Sequence, residues 1–166
     1  KAVRGNRRPE RGTDRIAQMA ICTYRFQGMF YGNGEIYFAC TNGGPEKFGQ
    51  IFRYKPSQYE GQKRENKAPG KLELFVESHD HELMKACDNL TIAPWGDVII
   101  CEDDNEYSAI VGITPEGKIY HIAHVAKKSE LAGGAFSPDG TTLFVNIQKL
   151  PGETLAITGP WEKRIG

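Results

Sequence analysis

Three stretches of the chain copy one another. Tyr31-Gly32-Asn33-Gly34-Glu35-Ile36-Tyr37-Phe38-Ala39-Cys40 aligns with Ala93-Pro94-Trp95-Gly96-Asp97-Val98-Ile99-Ile100-Cys101-Glu102, and both align with Ser137-Pro138-Asp139-Gly140-Thr141-Thr142-Leu143-Phe144-Val145-Asn146. Each copy is a tight turn with a glycine, then an apolar strand. Cys40, Glu102 and Asn146 stand at the same offset past the turn glycine, and all three residue types can bind a metal. A unit that recurs in this way cannot bury its apolar face alone, so it must stack on its neighbours. The expected fold class is all-β: about three four-stranded antiparallel blades of a partial six-bladed β-propeller, with a polar site on its axis.

The spacing supports this architecture. The turn glycines Gly96 and Gly140 stand 44 residues apart, the length of a four-stranded blade. Gly34 and Gly96 stand 62 apart, and a polar insertion from Pro56 to Gly70 accounts for the excess. Strands are expected at 26–31, 35–41, 49–54, 71–77, 90–93, 97–102, 109–114, 119–125, 134–137, 142–148 and 155–158. Gly32-Asn33-Gly34 makes the first hairpin turn, where φ > 0 is easily met. A short helix capped by Ser78 is expected over 79–86, with Leu83 and Met84 inward, and a short turn over 127–131.

Charge excludes some partners. Lys plus Arg number 21 and Asp plus Glu number 21, so nothing electrostatic recruits nucleic acid or an anionic membrane. No apolar run approaches the ~20 residues of a membrane span. Residues 1–19, with Arg4, Arg7, Arg8 and Arg11, read as a basic loop or the remnant of a preceding blade, and 20–166 as the propeller part. Cys22, Cys40, Cys87 and Cys101 lack CxxC spacing, which argues against a zinc knuckle, and Cys22 and Cys101 read as small buried hydrophobes.

Candidate ligands follow from the strand ends, which converge on a propeller axis. In the second copy Asp88-Asn89 opens the first strand and Glu102-Asp103-Asp104 closes the second, so Asn89 and Glu102 can meet one cation across the hairpin. In the first copy Gln27 takes the Asn89 position and Cys40 the Glu102 position. In the third, Glu130 lies three residues before Gly133, and Asn146 takes the Glu102 position. A thiolate at Cys40 would suit iron or zinc, but a buried strand thiol is the favoured reading. His79 and His81 read as solvated loop, and His121 and His124 as structural.

The ordered set Arg25-Phe26-Gln27-Gly28-Met29, Gly34–Gly44, Gly49–Tyr54, Asp88–Asp97, Cys101-Glu102-Asp103, Ser129–Gly133, Phe136–Gly140, Leu143–Gln148 and Ala156–Trp161 resembles the C-terminal part of the PhoX family of secreted alkaline phosphatases. The resemblance covers roughly residues 20 to 161. It implies a six-bladed propeller, a calcium and iron cluster in the axial pocket, hydrolysis of small-molecule phosphate esters, and export by the twin-arginine route to periplasm or medium. It also implies a partner, the N-terminal half of the same propeller.

Carried over by motif, Glu102 and Glu130 are the expected catalytic ligands. Asp88, Asn89, Gln27 and Asn146 complete the metal set. Family members usually carry Glu where this chain has Gln27, which removes a negative charge. Two other readings use the same scaffold: a calcium-dependent lactonase or arylesterase, and a non-catalytic calcium-binding module.

Overall fold

The computed structural model describes residues 25–104, 106, 108–125 and 129–161. Eleven strands are described: β1 (Phe26–Gly32), β2 (Glu35–Cys40), β3 (Gln50–Lys55), β4 (Lys71–Glu77), β5 (Cys87–Ile92), β6 (Val98–Glu102), β7 (Ser108–Ile113), β8 (Ile119–Val125), β9 (Leu131–Phe136), β10 (Thr142–Ile147) and β11 (Glu153–Thr158). They pair only with sequence neighbours. The sheets are β1-β2-β3-β4, β5-β6-β7-β8 and the three-stranded β9-β10-β11, all antiparallel. These are the expected blades, called here one, two and three.

Local chemistry sets the hairpins. Asn33 and Gly34 both have positive φ (55° and 77°), as a two-residue turn matched to strand twist requires. Side-chain alternation then decides which blades touch. On β6, Val98 and Ile100 pack with Tyr37, Ala39 and Ile51 of blade one. Ile99 and Cys101 pack with Leu143, Val145 and Ile147 of blade three. Blade two is therefore covered on both faces, and every residue of β6 and β7 is buried.

The innermost strands are neighbours, β1 against β5 and β5 against β9. The approach is close enough to need glycine: a Cβ at Gly28 would lie 2.3 Å from the Asp88 carbonyl oxygen. Because strands alternate in direction, the starts of β5 and β9 and the end of β6 gather at one end of the molecule. The β5–β6 and β9–β10 turns lie at the other.

The expected helix over 79–86 does not form. Asp80 starts a turn, accepting the N–H groups of Leu83 and Met84 at 3.1 and 3.2 Å, but Ala86 has φ 45° and its N–H donates to the Phe48 carbonyl at 2.9 Å. Bonding across to blade one wins over helical bonding along the segment. Ser78 donates to the carbonyls of Asp80 and Met84 instead of capping amides. Met84 is fully buried while Leu83 faces out, so one of that pair turns inward. β5 and β9 each begin three residues earlier than expected, because pairing with β6 and β10 extends them.

The insertion between β3 and β4 is ordered: Tyr54 donates to both oxygens of Glu60, and Ser57 Oγ donates to the Ala68 carbonyl at 2.6 Å. Residues 1–24, which hold the basic segment and Cys22, and 127–128 of the expected short turn lie outside the described residues.

Candidate metal centre

Three carboxylates meet at the end where the inner strands begin. Asp88, Asp103 and Glu130 each offer one oxygen, and these oxygens all lie within 4.8 Å of one another. Each arrives from a different strand end. Asp88 follows the first residue of β5, where a register irregularity between Cys87 and Asn89 turns it out of the ladder. Asp103 follows the last residue of β6, and its N–H donates to the Ala86 carbonyl at 2.9 Å. Glu130 precedes β9; its carbonyl accepts Gln148 N–H at 3.1 Å and its Oε1 accepts Gln148 Nε2–H at 2.8 Å.

The electrostatics are those of crowded acids. Burial pushes the Asp88 carboxyl above its ordinary value, and the charge of Asp103 adds to this; hydrogen bonds from Asn89 and Glu130 and the charge of Arg25 act the other way. Glu130 is raised by burial, then by Asp103 and Asp88. Their mutual hydrogen bond raises Glu130 and lowers Asp88. Asn89 orients the pair by donating Nδ2–H to Asp88 Oδ2 at 2.8 Å.

The donor set fits a hard cation. Calcium takes oxygen ligands at about 2.3–2.6 Å, so oxygens around one ion lie up to about 5 Å apart. The carboxylate spacing meets that requirement. None of the described thiols joins this carboxylate group: Cys40 and Cys87 are fully buried and Cys101 nearly so, and burial pushes each free thiol up to about 12.

Of the residues expected from sequence, the structure brings together Asp88 and Glu130, with Asn89 beside them. Glu102 is not one of the three carboxylates that meet there. Glu102 is 2% exposed; its Oε1 accepts Lys85 N–H at 2.8 Å and its Oε2 accepts Ala109 N–H at 3.0 Å. Burial raises its pKa and the two amides partly offset that. Gln27 is exposed within the register irregularity of β1, beside Phe26, Met29 and Phe38. Asn146 is on the outward face of β10, where Thr154 Oγ1 donates to it at 2.9 Å; Leu143, Val145 and Ile147 take the inward face.

Asp103 is the member that the repeat offset missed. The signal was available: Glu102 shares strand parity with Val98 and Ile100, so the next residue reaches the other side, toward blade three. The histidines stand apart from the cluster. His79 and His81 are exposed, and His121 Nε2 contacts the Leu83 carbonyl at 3.0 Å.

A family model described as alkaline phosphatase PhoX matches residues 11–152. The chain belongs to the PhoX alkaline phosphatase family. No curated protein matches it. Among solved structures it is similar to a catalytically inactive virginiamycin B lyase from Staphylococcus aureus with quinupristin, at 19% identity and TM-score 0.51, over 81% of this chain and 41% of that one. The selenomethionine-substituted form of the same lyase gives TM-score 0.49 at 19% identity, with the same coverage of 81% and 41%. The chain therefore spans about two fifths of the solved chains it matches. At this identity the first of these likenesses concerns the fold alone, and it agrees with the stacked antiparallel blades. No helix among the described residues is long and apolar enough to cross a membrane.

Proposed function

We infer that this PhoX-family chain is the C-terminal part of a metal-dependent phosphomonoesterase, with residues 20–166 in the propeller and 1–19 a basic loop or the remnant of a preceding blade. The observation that carries the reading is the convergence of Asp88, Asp103 and Glu130, with oxygens within 4.8 Å, in a chain that the PhoX model covers over residues 11–152. Calcium is the cation their chemistry suits. Asp88, Asp103 and Glu130 would hold it as anions, and Asn89 would fix the Asp88 rotamer. A bound cation of this kind supplies positive charge against the oxygens of a phosphoryl group. The protein's own part is to keep hard oxygen donors fixed at the axial end and to bring substrate to them. The remaining ligands would come from the other half of the same propeller, and the family's export route would place the whole protein in the periplasm or outside the cell.

The test is hydrolysis of p-nitrophenyl phosphate by the full-length protein with calcium. Asp103→Asn should lower kcat roughly a hundredfold with the fold intact, the upper end of what losing a residue that supports a metal site costs. Retention of full turnover would sink this assignment. Running an aryl lactone beside the phosphate ester separates phosphomonoesterase from a lactonase or arylesterase on the same scaffold.

A further inference from the structure

The carboxylate centre works only if two chain segments keep their places: 85–88, which enters β5, and 102–104, which leaves β6. Three contacts tie them. Lys85 N–H donates to Glu102 Oε1 at 2.8 Å, Asp103 N–H donates to the Ala86 carbonyl at 2.9 Å, and Lys85 Nζ lies 3.4 Å from an Asp104 carboxylate oxygen. The second oxygen of Glu102 accepts Ala109 N–H at 3.0 Å, which fastens the same knot to β7. Glu102 thus grips one amide from the connection between blades one and two and another from β7. Hydrogen bonds to an ionised acceptor are the stronger kind, and a side chain at 2% exposure has little freedom to leave them.

We propose that Glu102 is a positioning residue, which holds Asp88 and Asp103 within reach of one cation without touching that cation itself. The inference rests on the reading of Asp88, Asp103 and Glu130 as a calcium centre. Strand parity turns Glu102 to the side of Val98 and Ile100, against blade one, and both its oxygens are engaged by amides. Asp88 is two residues beyond Ala86, and Asp103 is bonded to Ala86 directly. Loosening the grip on Lys85 therefore loosens both ligands at once. Glu102→Gln keeps the shape and one acceptor but sets an NH2 group against a backbone N–H, so one of the two ties is lost.

The experiment uses the full chain and two readouts. Calcium chloride titrated calorimetrically gives the affinity. Terbium luminescence decay in H2O against D2O counts the waters left on a bound terbium ion. Glu102→Gln should weaken calcium binding about tenfold or more, the usual effect of removing a residue that orients ligands, while the terbium water count stays as in the wild type. Unchanged calcium affinity overturns the proposal. So does a gain of one bound water, which would make Glu102 a ligand. Asp88→Asn is the control for the centre itself: if the wild type binds no calcium, or Asp88→Asn binds it as well as the wild type does, the centre falls and the positioning role with it. Should Glu102→Gln fail to fold, Glu102→Asp keeps the charge but shortens the side chain, so it cannot reach both the Lys85 and Ala109 amides. It should weaken calcium binding with the water count constant, and an unchanged affinity there also overturns the proposal.

Discussion

Replacing Asp103 by Asn should make the protein more stable without calcium and less responsive to it. Without a cation, Asp88, Asp103 and Glu130 hold their nearest oxygens within 4.8 Å. Two unit charges at that separation repel by ~3.5 kcal/mol at an effective dielectric of 20 and by ~0.9 kcal/mol in water. Asp88 is buried, but Asp103 and Glu130 are half-buried, so water screens part of that repulsion. The relief from losing one charge should then be about 1–2 kcal/mol. For a chain of this size that raises Tm by roughly 3–6 °C in EGTA. With calcium at a hundred times its Kd the wild type gains about 2.7 kcal/mol by mass action, and the variant should lose most of that gain. The two melting curves exchange order when calcium is added. Scanning calorimetry or dye-monitored melting in EGTA and in calcium reads both arms. A variant that melts below the wild type in EGTA, or keeps the full calcium shift, refutes the reasoning.

Acid should act on the same cluster. The carboxyls of Asp88 and Glu130 are raised in the folded state, so folded protein holds their protons more tightly than unfolded protein does. Their stabilising contribution is complete below the ordinary carboxylate values and is lost as pH rises through the raised ones. In chelator, denaturant midpoints should therefore show this contribution growing on acidification from neutral pH into the carboxylate range, with a smaller slope in Asp103→Asn; equal slopes in the two proteins would contradict it. Gly28→Ala places a Cβ 2.3 Å from the Asp88 carbonyl oxygen and should cost about 1–3 kcal/mol in urea unfolding as β1 and β5 separate. An unchanged midpoint would mean that the inner strands are not in contact. In a Cys22→Ser background, Cys40, Cys87 and Cys101 should resist Ellman's reagent at pH 8 and react only on unfolding, because burial pushes each thiol up to about 12. Prompt labelling of the native protein would contradict the burial of these thiols.

How far local reading carries is visible element by element. β4 and β8 fall where alternation put them, and the Asn33-Gly34 and Pro94-Trp95-Gly96 turns lie where glycine allows positive φ. The segment 79–86 had Ser78 before it and an apolar pair within it, yet Ala86 bonds to Phe48, far away in sequence, and the helix is lost. No window of sequence around Ala86 contains that partner. The same limit separated Glu102 from Asp103: both are acidic, adjacent and at a strand end, and only the side of β6 each one faces tells them apart.

Strand identity, hairpin turns, the count of copies and the presence of acids at the strand starts were determined by the sequence itself, since period-two patterning and glycine conformations act over a few residues. Which acids share a site was decided by the tertiary structure. The irregularity at Asp88, the close approach of β1 to β5 and the facing of β6 toward both neighbours depend on contacts between segments distant in the chain, and a carboxylate turned toward backbone amides looks, in sequence, the same as one turned toward its fellow acids.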